Sequence, residues 1–390
     1  MIKRVEINYR GIYQKTLARR IGSDLVLIAS RLGKVAFSNG RYSDAPERDG
    51  IPCKYFVFVS PDLPEEELEA ECGAKLDIDV ADVSIVLDDT MVKGVEPWAW
   101  HGVRPINEKV SADGCLLVVT RREPTQLLAF IAAKPHPYRL ATLEGDASLS
   151  GLWVFKDDLT HERVLGAVAA VDPGIVTIDA VADYLADEGR EPRRAEAART
   201  AHAATVQRIR PVAPDAGISW TYAIPELPAW DAFGEGVAVP GVERRSELGP
   251  GGQARNAGFP RGTTKTERPV VRFDLCTRCT LCWLECPDGC FDPTADEYYD
   301  VAYAYCTGCG KCAAVCPVKE CIVMVDELRF EDTASPWAAY RRDPAAYLAW
   351  AEGKKGPERR SYAHITGTGV EVRPAPAVRA RRTRKEVATR

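Results

Sequence analysis

The sequence predicts an α/β domain with a mostly parallel sheet in its N-terminal part and a separate, cysteine-rich α+β domain nearer the C-terminus. Short apolar segments alternate with helix-like segments through the first 215 residues, as in α/β folds. Ten of the thirteen cysteines lie between Cys276 and Cys321, after a long Gly/Pro-rich stretch without periodicity. We therefore predict an α/β domain at 1–215, a linker or wrapping arm at 216–265, the cysteine-rich domain at 266–330 and a partly disordered extension at 331–390.

Composition and charge exclude several classes of protein. The chain has 390 residues, of which 46% are hydrophobic and 27% charged, values typical of a soluble globular protein. Its net charge of -5 argues against a chain built mainly to bind nucleic acid. No apolar run approaches the roughly 20 residues of a membrane-spanning helix, and the first residues lack the apolar core of a secretory signal. We expect a cytoplasmic protein that makes no membrane contact.

The N-terminal domain is predicted from the period of its apolar residues. Nearly continuous apolar, β-branched runs are typical of strands buried on both faces of a parallel sheet. Strands are predicted at Ile2–Ile7, Tyr55–Val59, Val83–Leu87 and Leu116–Thr120. Apolar residues at helical spacing predict helices within Gln14–Phe37, Thr125–Ala133 and Thr177–Ala186.

One predicted strand ends in a polar group. Asp88, Asp89 and Thr90 follow Leu87 at the carboxyl end of a buried strand, where open α/β sheets bind their ligands. The alternative is that Asp89 or Thr90 simply caps the next segment. The sequence leaves both interpretations open.

The cysteine-rich domain contains two runs with the same spacing. Cys276, Cys279, Cys282 and Cys286 precede Pro287, and Cys306, Cys309, Cys312 and Cys316 precede Pro317. Both match the bacterial ferredoxin run, in which three closely spaced thiolates hold one cluster and the fourth cysteine ligates the other cluster. The spacing thus predicts a first 4Fe–4S cluster on Cys276, Cys279, Cys282 and Cys316. It predicts a second 4Fe–4S cluster on Cys306, Cys309, Cys312 and Cys286.

Two structural zinc sites are the alternative, because CxxC pairs also bind zinc. The five remaining cysteines are predicted to be small buried packing residues rather than ligands. They are Cys53, Cys72, Cys115, Cys290 and Cys321. This division accounts for an odd number of cysteines without any disulfide framework.

The residues around both domains resemble the gamma–delta part of the 2-oxoacid:ferredoxin oxidoreductases, the family of pyruvate:ferredoxin and ketoisovalerate:ferredoxin oxidoreductase. The resemblance covers roughly residues 1 to 330. In the N-terminal domain it rests on Asn39–Tyr42, on Ala45–Pro52 leading into the Tyr55–Val59 strand, and on Val86–Asp88. In the C-terminal domain it rests on Thr266–Val270 and on Cys282–Gly289.

The resemblance implies a role in an enzyme that is not catalytically complete on this chain. Members of the family oxidatively decarboxylate a 2-oxoacid on thiamine diphosphate and pass the electrons over 4Fe–4S clusters to ferredoxin, usually forming an acyl-CoA. Thiamine diphosphate and Mg²⁺ lie on partner subunits of alpha and beta type. This chain lacks the Gly-Asp-Gly motif that would bind them, since Ala147 follows Gly145 and Asp146. We expect an electron-transfer subunit of a hetero-oligomer with no catalytic residue of its own.

One departure from the family bears on coenzyme A. The family's gamma domain opens with a glycine-rich turn, Gly-Arg-Gly-Gly-Gln-Gly, and helps to bind CoA. Here Arg10, Gly11 and Gln14 match that turn, whereas bulkier residues occupy the other positions, among them Ile12 and Tyr13. We predict that this turn no longer cradles a phosphate, which favours a CoA-independent, oxalate-type enzyme as the alternative. Further alternatives are an aryl or branched 2-oxoacid as substrate and a non-catalytic iron–sulfur adaptor that docks a redox partner.

Three other features have less specific interpretations. His101 follows Trp98 and Trp100, and we expect a surface or subunit-interface role for this segment. The basic tail containing Arg379–Lys385 is expected to be disordered or to lie on an acidic partner subunit rather than to bind nucleic acid. Tyr340–Trp350 is predicted to form a short helix with an aromatic docking face.

Overall fold

The fold was analysed in a computed structural model, which divides the chain into two compact units. The N-terminal unit comprises Met1–Ile224 with Ile365–Val370, and the C-terminal unit comprises Pro225–His364 with Glu371–Arg390. The structure describes residues 2–41, 52–72, 78–95, 103–145, 159–187, 192–220, 265–332, 334–355, 361–366 and 369–374. Most of the predicted linker, residues 221–264, and the end of the tail, residues 375–390, lie outside the described residues.

The N-terminal unit is built on a seven-stranded sheet of order β2-β3-β1-β4-β5-β6-β7. Its strands are β1 Lys3–Arg10, β2 Val35–Gly40, β3 Pro52–Ser60, β4 Ala81–Val86, β5 Val110–Val119, β6 Tyr138–Leu143 and β7 Ile209–Val212. The central strands β1, β4, β5 and β6 run parallel, and the outer strands β2, β3 and β7 pair antiparallel. The predicted α/β class with a parallel sheet is confirmed, with antiparallel strands added at both edges.

Strand β3 shows what its apolar run does and does not indicate. The run Tyr55–Val59 is buried on both faces, as predicted, yet β3 is antiparallel to both of its neighbours. Val57 and Val59 belong to one core of the unit, and Phe56 and Phe58 pack with Leu68 in a second core. Continuous apolar character therefore reports burial on two faces, which a covered antiparallel strand shares with a parallel one.

Six helices of the N-terminal unit lie between these strands in the described residues. They are α1 Gly11–Arg31, α2 Glu65–Cys72, α3 Pro124–Leu127, α4 Thr160–Val171, α5 Ile178–Asp187 and α6 Pro192–Gln207. The predicted helix within Thr177–Ala186 is confirmed by α5. Helix α1 supplies Ala18, Ile21, Leu25 and Ile28 to the core that also contains Val5 and Ile7 of β1.

Two helices are shorter in the structure than the sequence predicts. Helix α1 ends at Arg31 instead of continuing to Phe37, because Gly33 takes a left-handed conformation with φ 73° and Lys34 N–H bonds back to Ala29 at 3.1 Å. The chain then enters β2. The helix predicted at Thr125–Ala133 ends at Leu127, and at the end of the predicted range the Ala133 N–H donates to the Ile218 carbonyl at 2.9 Å instead of to a helical partner.

The C-terminal unit contains two antiparallel strand pairs and several short helices. Strand β8 Glu267–Val271 pairs with β11 Ile322–Asp326, and β9 Phe291–Pro293 pairs with β10 Tyr299–Val301. Helix α7 Leu281–Leu284 contains Cys282, the third cysteine of the first run, and α8 Lys311–Val315 contains Cys312, the third cysteine of the second. This arrangement confirms the predicted α+β domain of the bacterial-ferredoxin type. Farther along, β12 Ser361–Thr366 pairs with β13 Gly369–Pro374.

The segment predicted as a docking helix packs within the C-terminal unit. It forms two helices, α9 Pro336–Arg342 and α10 Pro344–Lys354, with Asp343 capping α10 through the Ala346 N–H at 2.9 Å. The ring of Phe273 contacts the rings of Tyr340 and Tyr347 at centroid distances of 5.2 and 5.6 Å. The prediction of a single helix is therefore wrong. The rings of Tyr340 and Tyr347 pack against Phe273 within the C-terminal unit.

Candidate metal centres

Two cysteine-lined pockets lie in the C-terminal unit. The first contains about 410 Å³ of space, part of it open to solvent, and the cysteines around it are Cys276, Cys279, Cys282, Cys316 and Cys321. The second contains about 300 Å³ of space, also partly open to solvent, and its cysteines are Cys286, Cys290, Cys306, Cys309 and Cys312. Phe291 lines both pockets, so the two pockets are neighbours.

Each pocket takes its cysteines from both runs. Three cysteines of the first run line the first pocket together with Cys316, the last cysteine of the second run. Three cysteines of the second run line the second pocket together with Cys286, the last cysteine of the first run. Each pocket lining thus combines three cysteines of one run with the last cysteine of the other. One further cysteine, Cys321 or Cys290, completes each pocket lining.

The tight loops that present the first cysteines depend on left-handed backbone. Arg278 and Thr280 have φ values of 56° and 65° in the first run, and Gly308 and Gly310 have 70° and 75° at the same positions of the second. This conformation turns a backbone N–H toward the preceding sulfur in both loops. Arg278 N–H donates to Cys276 Sγ at 3.4 Å. Gly308 N–H donates to Cys306 Sγ at the same distance of 3.4 Å.

Four of the pocket thiols ionise more readily than a free cysteine. A hydrogen bond from Cys321 lowers the pKa of Cys276 to about 6 and the pKa of Cys316 to about 7. A hydrogen bond from Cys290 lowers the pKa of Cys286 to about 7 and also lowers the pKa of the Cys306 thiol. These four sulfurs are thus prepared as thiolates, the form in which cysteine binds metals.

Three other pocket thiols have the opposite tendency. Burial raises the pKa of Cys282 to about 12 and raises the pKa values of Cys309 and Cys312. Binding of a metal centre at these three sulfurs must therefore release protons, which couples occupancy to pH. The donor set of each pocket consists of thiols, which suit iron–sulfur clusters.

Cys290 and Cys321 are buried, as predicted for packing residues, but they also contact the predicted ligands. Burial leaves them 1% and 2% exposed. The Cys290 backbone N–H donates to Cys286 Sγ at 3.3 Å, and the Cys321 thiol, which lines the first pocket with Cys276 and Cys316, donates to the Arg272 carbonyl at 3.6 Å. Sequence reasoning missed these contacts. The available signal was that both residues follow the last cysteine of a run by four or five positions.

The other three cysteines lie in the N-terminal unit as packing residues, as predicted. Cys53 and Cys115 belong to the core beneath α1, and Cys72 packs with Leu68 in the second core. Burial raises the pKa of Cys115 to about 12, so this thiol stays protonated at neutral pH.

The polar group after β4 is engaged in internal bonds. Asp88 accepts from the Thr90 N–H at 2.9 Å and from the Thr90 hydroxyl at 2.6 Å, so it caps the 3-10 turn Asp89–Lys93. Asp89 accepts from the Thr120 hydroxyl at 2.7 Å and from Arg122 at 2.9 Å. The interpretation that this polar group caps the next segment is therefore correct, but the capping residue is Asp88 instead of Asp89 or Thr90.

The turn at the start of α1, which corresponds to the family's glycine-rich CoA turn, is held by a hydrogen bond between two of its own residues. Helix α1 begins directly at Gly11, whose φ is 70°. The Arg10 backbone N–H donates to the Gln14 side-chain oxygen at 2.8 Å, and the buried Arg10 guanidinium lies 3.9 Å from Asp88. The side chains of Ile12 and Tyr13 lie outside the described residues, as do the Trp98–His101 segment and Arg379–Lys385.

Two other kinds of feature are absent from the described ranges. No group of three or more His, Cys, Asp or Glu side chains there forms a site for a single metal ion. In the same part of the chain, no helix combines the length and apolar character needed to cross a bilayer.

Comparisons with known proteins identify the class of the C-terminal unit and then the family of the chain. Residues 269–324 match the 4Fe-4S dicluster domain, which defines an iron–sulfur protein. Pyruvate synthase subunit PorD of Methanothermobacter marburgensis is 40% identical over 89 residues, 23% of this chain and 89% of that protein. PorD of Thermotoga maritima is 38% identical over 72 residues, 18% of this chain and 72% of that protein. The chain therefore belongs to the 2-oxoacid:ferredoxin oxidoreductase family, as the resemblance implied.

A solved structure is also similar to part of this chain. Pyruvate oxidoreductase subunit PORC of Thermotoga maritima aligns with 54% of this chain and 98% of its own, at 17% sequence identity and a TM-score of 0.37.

Proposed function

We propose that this chain is the electron-transfer subunit of a thiamine-diphosphate-dependent 2-oxoacid:ferredoxin oxidoreductase. It would relay electrons from the oxidative decarboxylation of a 2-oxoacid to ferredoxin or a similar acceptor. Partner subunits of alpha and beta type would hold thiamine diphosphate and Mg²⁺. The observation that carries the proposal is the pair of adjacent pockets, each lined by three cysteines of one run and the fourth cysteine of the other.

We assign the cluster ligands from this lining. Cys276, Cys279, Cys282 and Cys316 hold the first 4Fe–4S cluster, and Cys306, Cys309, Cys312 and Cys286 hold the second. The clusters supply one-electron carriers when bound. Short helices α7 and α8 support the assignment, since each contains the third cysteine of a run and ends shortly before the fourth. The shared Phe291 wall supports a relay between two close centres.

The two sites differ in burial, which supports distinct roles in a relay. Cys286, Cys306 and Cys312 of the second site are buried. The corresponding Cys316, Cys276 and Cys282 of the first site are only half-buried. Solvent exposure is one of the factors that set cluster potentials, so we expect the two centres to have different potentials. Each site also presents one exposed cysteine, Cys279 or Cys309, as a route to a redox partner.

The proposal is tested with the full chain, tagged and purified without oxygen. We expect about eight iron atoms per chain and a reducible paramagnetic signal. Cys279→Ala and Cys309→Ala should each lower the iron content, whereas Cys115→Ala, which removes a buried thiol of the N-terminal unit, should not. A protein that contains zinc and gives no reducible signal would overturn the assignment.

Partner subunits are tested in the same preparation. The tagged chain should co-purify with thiamine-binding subunits and with 2-oxoacid-dependent reduction of a viologen dye. Isolation of the chain alone, with both clusters but without such activity, would favour the non-catalytic adaptor.

We also propose that the complex works without CoA. The supporting observation is the turn at the start of α1, where Gln14 already accepts the Arg10 backbone N–H that a phosphate would need. Turnover of a panel of 2-oxoacids should then be independent of added CoA. Saturable, tight CoA binding that is lost in a variant of this turn would contradict the proposal.

A further inference from the structure

Phe291 is a side chain that the two cysteine-lined pockets share. Among the described residues, it is the only one that lines both pockets. It is 3% exposed and belongs to the hydrophobic core of the C-terminal unit. A buried water molecule needs several polar partners, and a phenyl ring offers none. The part of the lining that the two pockets have in common is therefore apolar.

The backbone around Phe291 holds the residue beside the second pocket. Phe291 is the first residue of β9 and pairs with Val301 of β10. The preceding Cys290 N–H donates to Cys286 Sγ at 3.3 Å, and the Cys290 carbonyl accepts from the Ala302 N–H at 2.8 Å. Hydrogen bonds of this strand pair and of the cysteine run thus fix the position of Phe291 on both sides.

The ladder of β8 and β11 adds one apolar pair of residues to each pocket. Val271 pairs with Ile322, and both line the first pocket. Pro269 pairs with Met324, and both line the second pocket. Residues two positions apart on a strand point to the same face of a sheet, so one face of this ladder serves both pockets. Ile322 and Met324 each line one pocket, whereas Phe291 lines both.

Apolar surroundings act on a cluster through the charge that it gains on reduction. The reduced state carries one more negative charge than the oxidised state, and water stabilises that charge better than an apolar wall does. Solvent exposure and the apolar shell around a site are therefore among the factors that set its reduction potential. Removal of a wall residue that excludes water should raise the potential of each site that the residue lines.

We infer that Phe291 keeps water out of the space between the two proposed sites and thereby lowers the reduction potentials of both clusters. Ile322 acts in the same way on the first cluster, and Met324 on the second. These residues supply no ligand to iron and act through the access of solvent to the sites. The inference rests on the proposed function, because it takes the assignment of the eight ligands as given.

The experiment uses the full chain with its clusters and compares Phe291→Ala, Ile322→Ala and Met324→Ala with wild type. Iron and acid-labile sulfide per chain are measured, together with a redox titration followed by electron paramagnetic resonance. All three variants should keep the wild-type iron content. Phe291→Ala should raise both transitions, each by about tenfold in equilibrium constant, which is about 59 mV for a one-electron couple. Ile322→Ala should raise one transition, and Met324→Ala should raise the other.

Phe330→Ala is the matched control for a purely structural effect. Phe330 is 3% exposed, like Phe291, and belongs to the same hydrophobic core, but it is not one of the described residues that line the pockets. Phe330→Ala should destabilise the domain and leave both potentials unchanged. Phe291→Leu retains an apolar side chain at the shared position and should show less than half of the shift that alanine causes.

Unchanged potentials in Phe291→Ala with full iron content would overturn the inference, as would equal shifts in Phe330→Ala. A shift of one transition alone in Phe291→Ala would overturn the shared role. If Phe291→Ala loses its iron, Phe291→Val, which removes less of the side chain, takes its place. A rise of both transitions in Phe291→Val supports the inference, and unchanged potentials contradict it. Failure of the proposed function is a different result, since wild type itself would then lack two reducible clusters.

Discussion

Gly308 offers a sharp test of how the fold shapes the second cysteine loop. It lies between Cys306 and Cys309 with φ 70°, and a Cβ at this position would lie 2.2 Å from the Glu267 carbonyl oxygen in β8. We expect Gly308→Ala to destabilise the loop and to lower iron occupancy of the second site. The first site, whose loop has Arg278 at the equivalent position, should keep its iron.

The magnitude follows from two separate contributions. A left-handed conformation costs a residue with a Cβ about 1–2 kcal/mol relative to glycine. Real Cβ contacts are essentially never shorter than 3.0 Å, so the loop or β8 must move by most of an ångström. Overpacking of this kind costs about 1–3 kcal/mol. The sum is about 2–5 kcal/mol, a large fraction of the stability of a small domain.

Two control variants isolate these contributions. Gly33 also has a left-handed φ of 73°, but a Cβ there would meet no atom within 4 Å, so Gly33→Ala should cost only the conformational part. Gly353 lies inside α10 with no atom within 4 Å and no positive φ, so Gly353→Ala should be neutral or stabilising.

Urea unfolding of the full chain, followed by cluster absorbance and circular dichroism, and iron per chain are the measurements. A Gly308→Ala protein that unfolds no more easily than Gly33→Ala and retains all its iron would refute the close approach to β8.

Three further predictions concern buried charges in the two units. The buried Arg268 has its Nε 2.8 Å from Glu327 Oε2, and Glu327→Ala removes this partner. The substitution should lower the free energy of unfolding of the cluster domain in urea by about 3–5 kcal/mol. A loss below about 1 kcal/mol would contradict this. Lys265→Met removes a buried cation whose charge helps to lower the pKa of Cys306, so the reduction potential of the second cluster should become more negative while that of the first is unchanged. In the N-terminal unit, burial opposes protonation of His161, but its bonds to Asp24 and Glu162 outweigh burial and raise its pKa above 6.5. The same contact with His161 lowers the pKa of Glu162 from 4.5 to about 2. The His161 contribution is fully present below pH 6.5 and is lost as the pH rises through the folded pKa, whereas the Glu162 contribution is present above pH 4.5 and is lost as the pH falls toward 2. His161→Gln should therefore lower the Tm more at pH 5.5 than at pH 8.5, and an equal loss at both pH values would contradict the linkage.

The cysteine runs show how much of the site the sequence could predict. Spacing alone indicated that Cys286 and Cys316 exchange between the two sites, and they line the exchanged pockets. Spacing could not predict that the Cys290 N–H donates to Cys286 Sγ or that the Cys321 thiol donates to the Arg272 carbonyl, because these contacts depend on where β9 and β11 begin in space.

The α/β unit was predictable in class but less so in detail. Apolar runs located β1, β3, β4 and β5, since burial leaves a direct trace in composition. The antiparallel direction of β3, by contrast, cannot be predicted from its composition. The early end of α1 depends on Gly33 in a left-handed conformation, a signal that apolar periodicity alone passes over.

The helices after the second cysteine run extend the core of the cluster domain. The segment that matches the dicluster domain ends at residue 324, and a domain of that size buries little surface by itself. Helix α9 adds Trp337, whose ring lies 5.0 Å from that of Phe273, and α10 adds Tyr347, whose hydroxyl donates to the Val271 carbonyl at 2.8 Å. Val271 in turn lines the first pocket. Aromatic side chains of α9 and α10 thus pack against the residues around Val271, which lines a proposed cluster site. The helical extension therefore affects the site through packing.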